Sequence, residues 1–215
     1  MAKDLIPEET AKAIQEAAKL LSKVIDAGAG IGRYLDTVFD RVPHNLVGYF
    51  GGDWLAEQRM RNAERLRADT EEIRRSRGTQ ERVEISPSVA IPLIQAAIDE
   101  DRDGLKEMWA RLLAAAMDPA RTHLVRPSLI ELLKQFDPLD AFVLREMTGP
   151  NFQNIIVPGS DLAQSLGGVA GVPRDETHLS LEHLYELGCL RQSPDEVPRP
   201  PVTAKGRALI RAVSD

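Results

Sequence analysis

Residues 103–120, DGLKEMWARLLAAAMDPA, decide how this chain is read. Leu105, Met108, Trp109, Leu112, Leu113, Ala116 and Met117 fall on one helical stripe, spaced by threes and fours. The stripe covers about a third of the helix circumference, the width of a core-facing side. Its neighbours AIPLIQAAI (90–98) and SLIELLKQF (128–136) carry matching apolar faces a short loop away. Three helices so patterned bury one another before they bind anything else. Trp109, one of only two tryptophans, is therefore expected in a core.

The adjoining segments extend this centre. In ISPSVAIPLIQAAIDED (85–101) a short helix is expected to start near Pro92, because proline suits a first helical turn. RPSLIELLKQFDPLDAFVLREM (126–147) reads as two helices, the second opened by Asp137 as N-cap and Pro138 at the first helical position. Towards the N-terminus, residues 8–26 read as a helix with Ile14, Ala17, Ala18, Leu21 and Ile25 on one side. DAGAGIG (26–32) breaks it, each glycine costing about 1 kcal/mol relative to alanine. A second amphipathic helix follows at 31–42, with Ile31, Tyr34, Leu35, Val38, Phe39 and Val42 in phase, and Pro43 stops it. After the glycine-rich PHNLVGYFGGDWL (43–55), Asp53 caps a long charged helix to about Arg77, ended by Gly78 and Thr79.

Beyond residue 148 the pattern changes. SDLAQSLGG (160–168) and DETHLSLEHLYELGCL (175–190) are helices, and the proline-rich SPDEVPRPP (193–201) leads into VTAKGRALIRAV (202–213). Helix, helix, LGCL, loop, VTAKGRAL resembles a winged-helix domain, in which a strand after LGCL pairs with one before the Thr-x-x-Gly turn. The expected architecture is mainly α: a helical arm (1–82), a central bundle (83–147) and a winged-helix-like module with a small β-hairpin (148–215).

Composition narrows the function. The chain has 215 residues, 43% hydrophobic and 28% charged, with a net charge of −6, so no global positive field draws nucleic acid or anionic lipid. A single cysteine, Cys189, excludes an internal disulfide or a cysteine-rich metal site and fits a reducing cytoplasm. The N-terminus carries acids throughout, unlike a secretory signal, and no uncharged run there approaches the ~20 residues of a spanning helix.

No pattern identifies a reaction, and no catalytic residue, metal, cofactor or small-molecule substrate is expected. His178–Glu182 and His183–Glu186 share helix faces, but two-residue pairs fall short of a metal site's three or four ligands. GAGIG follows a helix rather than the strand a dinucleotide loop requires. Cys189 sits on an apolar turn.

Residues 59–82 hold eight arginines and five acids, with Arg65–Asp69 and Glu71–Arg75 placed to neutralise each other. If the winged-helix-like part read DNA, Arg174, Arg191 and Arg199 would contact it. The helix that would enter the groove instead begins with Asp175 and Glu176, ill suited to phosphate. Tyr34, Phe39, Tyr49, Phe50 and Trp54 gather half the chain's aromatics among glycines and form the expected interaction surface. Self-association or a protein partner suits them best. A membrane surface touched through residues 31–55 is the alternative.

The stretch Val83–Met147 resembles the abortive-infection alpha-like (Abi-alpha) family, most specifically in LKEMWARLLAAAMDP (105–119) and KQFDPLDAFVL (134–144). The tail LEHLYELGCL…VTAKGRALIRA is consistent with the same family. The resemblance implies a bacterial phage-defence role and carries no catalytic residue. The combined expectation is a non-enzymatic, cytoplasmic defence protein acting through protein contacts, with a DNA-binding regulator and a peripheral membrane effector as competitors.

Overall fold

A computed structural model of the chain describes residues 53–79, 81, 83, 85–150, 152, 161–191 and 202–214. These contain eight α-helices: α1 (Asp53–Ser76), α2 (Pro87–Asp99), α3 (Asp103–Met117), α4 (Pro127–Leu133), α5 (Pro138–Thr148), α6 (Leu162–Ala170), α7 (Arg174–Glu186) and α8 (Ala204–Val213). A 3-10 turn, Thr122–Leu124, links α3 to α4. The helices expected at 8–26 and 31–42 lie outside the described residues.

α3 is the axis of the fold. Leu105, Trp109, Leu112, Leu113 and Met117 are almost completely buried, as the stripe requires. Burial goes further than the stripe, because Ala110, Ala114 and Ala115 lie off it and are equally covered. Small side chains there let neighbouring backbones approach, and α3 packs against α1, α2, α5 and α8 at once. One apolar cluster runs without a break from Leu66 in α1 to Val213 in α8.

Two boundaries follow from local chemistry. α2 starts at Pro87, five residues before the expected Pro92, which sits inside the helix. Pro92 removes one backbone hydrogen bond, a penalty of about 3 kcal/mol in an isolated helix. Burial of Ala90, Leu93, Ile94 and Ala97 on the same helix offsets it. α5 starts where expected, with a reciprocal capping box between Asp137 and Asp140.

The expected β-hairpin reduces, among the described residues, to one antiparallel bridge between Leu190 and Val202. Residues 192–201 lie outside them. The bridge is anchored by Thr203, whose N–H donates to the Cys189 carbonyl at 2.9 Å. Its hydroxyl donates to the Gly188 carbonyl at 2.7 Å and accepts from the Gly206 N–H that opens α8. The Thr-x-x-Gly spacing is thus an N-cap that also fastens the bridge. Gly206 is where α8 crosses closest: a Cβ there would stand 2.7 Å from the Cys189 carbonyl oxygen.

Candidate functional site

The most elaborate polar arrangement grows from the α5 N-terminus. Asp140 is buried, at 1% exposure, and its two oxygens accept three hydrogen bonds. Oδ2 takes the Asp137 backbone N–H at 2.8 Å and the His183 Nδ1–H at 2.8 Å. Oδ1 takes the Ser180 hydroxyl at 2.6 Å. Asp140 therefore closes the α5 cap and pins α7, forty residues later in the chain.

Asp137 continues the chain of contacts outward. Its Oδ1 accepts from Arg102 Nη1 at 2.8 Å. Arg102 grips Glu100 with Nε and Nη2, at 2.8 and 3.0 Å, and Glu100 also receives the Trp109 indole N–H at 3.4 Å. Burial alone would raise the Glu100 carboxyl; the Arg102 fork outweighs it and holds the group below the ordinary glutamate value. Trp109 is core, as the stripe indicates, and its one polar atom is answered by a buried carboxylate.

Above Asp140, α5 and α7 enclose a groove of about 560 Å³. Asp137, Glu176, Glu182 and Glu186 line it with Leu139 and Leu179, and the half-buried His183 is its one basic group among the described residues. Leu179 is 62% exposed. The buried side of α7 is Thr177, Ser180, Leu181 and Leu184. Leu179 is out of phase with that row and points to solvent among acids.

The chemistry open to this arrangement can be weighed. Nucleophilic activation of Ser180 needs an imidazole between hydroxyl and carboxylate. Here the carboxylate stands between hydroxyl and imidazole, so His183 takes no proton from Ser180. Asp137, Asp140 and His183 offer three ligand atoms within 4.8 Å of one another. Arg102 already occupies Asp137, and Ser180 and the α5 cap occupy Asp140, so a cation would have to displace these partners. The geometry is that of a tie between helices. His183, paired on sequence with Glu186, bonds Asp140 instead, whereas His178 and Glu182 do meet, at 3.4 Å.

The arginines are engaged elsewhere. Arg174 is held by Asp161, whose carboxyl that guanidinium keeps below its ordinary range. Arg191 is exposed, and Arg199 lies outside the described residues. In α1, Arg65 meets Asp69 as expected, at 3.5 Å, yet it also reaches Asp103 at 2.9 Å. Arg59 binds Asp99, and the buried Arg74 binds Glu71 and two backbone carbonyls. Much of this charge fastens α1 to α2 and α3, a role that helix-internal spacing did not reveal.

Tyr34, Phe39, Tyr49 and Phe50 lie outside the described residues, and Trp54 is placed only by its backbone in the first turn of α1. Among the described residues no helix is long and apolar enough to cross a membrane. The buried Cys189 thiol is pushed up to about 11 by burial, which keeps it protonated and unreactive at neutral pH.

These observations define a mainly helical protein whose polar groups are spent on joining helices. The family model described as "Abortive infection alpha" matches residues 57–204, from the second turn of α1 to the start of α8, and the chain belongs to that family. No curated protein and no solved structure matches it. Membership gives the chain an abortive-infection-type role.

Proposed function

We propose that this is a bacterial phage-defence protein that works inside the cytoplasm by binding another protein, without a reaction of its own. The observation that carries this reading is the solvent face of α7. An exposed Leu179 stands there within a rim of Asp175, Glu176 and Glu182. An apolar centre inside a polar rim is the anatomy of a protein contact. The same acids repel phosphate, so α7 is a poor reader of DNA. The helix order α6, α7, bridge, α8 supports treating this end as a winged-helix-like module turned to protein contact. Fold alone does not dictate DNA binding.

The test is phage yield and cell survival in bacteria expressing the wild type or Leu179→Lys, challenged at high multiplicity. Leu179 is largely outside the core, so the variant should fold with native thermal stability. Loss of protection by that folded variant supports the reading. Full protection by Leu179→Lys refutes it, and salt-sensitive duplex binding by the wild type would favour a regulator instead.

A further inference from the structure

We propose that the groove between α5 and α7 receives a basic segment of the protein partner, an apolar side chain flanked by lysines or arginines. This rests on the α7 contact proposed above and names the chemistry that fits it. The groove encloses about 560 Å³, and Leu139 of α5 and Leu179 of α7 both line it. Leu179 is exposed and Leu139 half-buried, so apolar surface stands in water on both helices. An apolar side chain seated there would remove that surface from water.

Charge selects what surrounds the apolar side chain. The carboxylates of the groove are of two kinds. Asp137 and Asp140 are already answered, by Arg102 and by His183. Glu176 and Glu186 are exposed and have no hydrogen-bond or ion partner among the described residues. Glu182, between them, meets the exposed His178 at 3.4 Å. His183, the one basic group of the lining, is turned to Asp140. The rim is thus a run of like charges that an incoming cation would relieve.

Spacing agrees with this chemistry. Along α7, Glu176 and Glu182 lie about 5 Å to either side of Leu179, and Glu186 about 6 Å beyond Glu182. A helical segment with a cation one turn before and one turn after an apolar residue carries its charges at that same separation. Other occupants fit less well. Phosphate, in nucleic acid or lipid, is repelled by the same carboxylates. A second copy brings a net charge of −6 to an acidic rim. A bare polyamine would leave Leu139 and Leu179 in water.

The test is a displayed library of random peptides, selected on the immobilised full-length protein and depleted of binders to Leu179→Lys. Enriched peptides should carry Lys or Arg on both sides of one apolar residue, and should bind more weakly as salt rises. Glu176→Gln combined with Glu186→Gln should weaken them at least about threefold. Its unfolding midpoint should stay in place, because both side chains are exposed. Enrichment of neutral or acidic peptides, or of none, overturns the proposal, as does binding indifferent to both glutamates. So does spermine bound as tightly as the best peptide, or a wild-type dimer that Leu179→Lys dissolves, which would make a second copy the occupant. In each of these cases, lost phage protection in Leu179→Lys keeps α7 as the contact and refutes only its basic partner. Full protection by that variant removes the contact itself.

Discussion

Replacing Asp140 by alanine tests whether the polar chain holds the two ends of the protein together. Asp140 accepts from the Asp137 N–H, the Ser180 hydroxyl and the His183 imidazole. Losing the capping-box acceptor costs about 0.5–2 kcal/mol. Ser180 is buried, and an unanswered buried hydroxyl adds about 1–3 kcal/mol. The half-buried His183 can turn to water, so its loss adds little. The total is about 3 kcal/mol. With a urea slope of about 1–3 kcal/mol/M, the midpoint should fall by between about 1 and 3 M at unchanged slope. Asp140→Asn should recover less than half of this, because an amide exchanges one acceptor for a donor. Ser180→Ala should cost about 1 kcal/mol alone and almost nothing in the Asp140→Ala background, since the hydroxyl and its acceptor form one unit. A loss below 1 kcal/mol for Asp140→Ala, or strict additivity with Ser180→Ala, would refute the tie.

Trp109→Ala should destabilise the fold by about 3–5 kcal/mol through cavity formation, measured by denaturant unfolding, and Trp109→Phe by clearly less. Native stability in Trp109→Ala would return the stripe to the status of a binding face. Because the folded Glu100 carboxyl titrates below its unfolded value, it stabilises the protein above the unfolded value, and that contribution disappears as pH falls through the folded one. Acid unfolding of Glu100→Gln should accordingly show a shallower loss of stability below about pH 4.5 than the wild type. Gly206→Ala, which helix propensity alone would make stabilising by about 1 kcal/mol, should lower the melting temperature, since its Cβ would press on the Cys189 carbonyl. A rise would mean that α8 can slide away from the bridge. Cys189 should resist alkylation at pH 8 in the native protein, and stability should decline between about pH 9 and 11 as the unfolded thiol ionises first. Rapid native labelling at pH 8 would contradict its burial.

Regular helices were legible because their signals are local. The Leu105–Met117 periodicity and the Asp137–Pro138 start each need only a few neighbours in sequence, and both elements stand where those signals place them. Pro92 misled because a proline's cost depends on what the rest of its helix buries, which is a tertiary quantity. The alanines of α3 did not by themselves reveal its central place. Ala110, Ala114 and Ala115 are as consistent with an exposed helical face as with close packing, and only the surrounding helices distinguish the two.

The polar site was legible in halves. Asp137 and Asp140 sit at capping-box spacing, so a cap could be read locally, with Asp140 in an acceptor role. Nothing in sequence joins them to Ser180 and His183 across forty residues, or Glu100 to the indole of Trp109. Burial is what turns these ordinary residues into a network: a carboxylate exposed at an α5 cap would be worth little, while one at 1% exposure needs hydrogen-bond partners for both of its oxygens. Seen this way, the acids around Leu179 and those beneath it do different work. Asp140 and Glu100 are satisfied internally and hold helices together, whereas Asp175, Glu176 and Glu182 stand exposed around Leu179, where the proposed partner would meet them. Removing Glu176 and Glu182 together should therefore leave the unfolding midpoint nearly unchanged while altering partner binding, the reverse of what Asp140→Ala does.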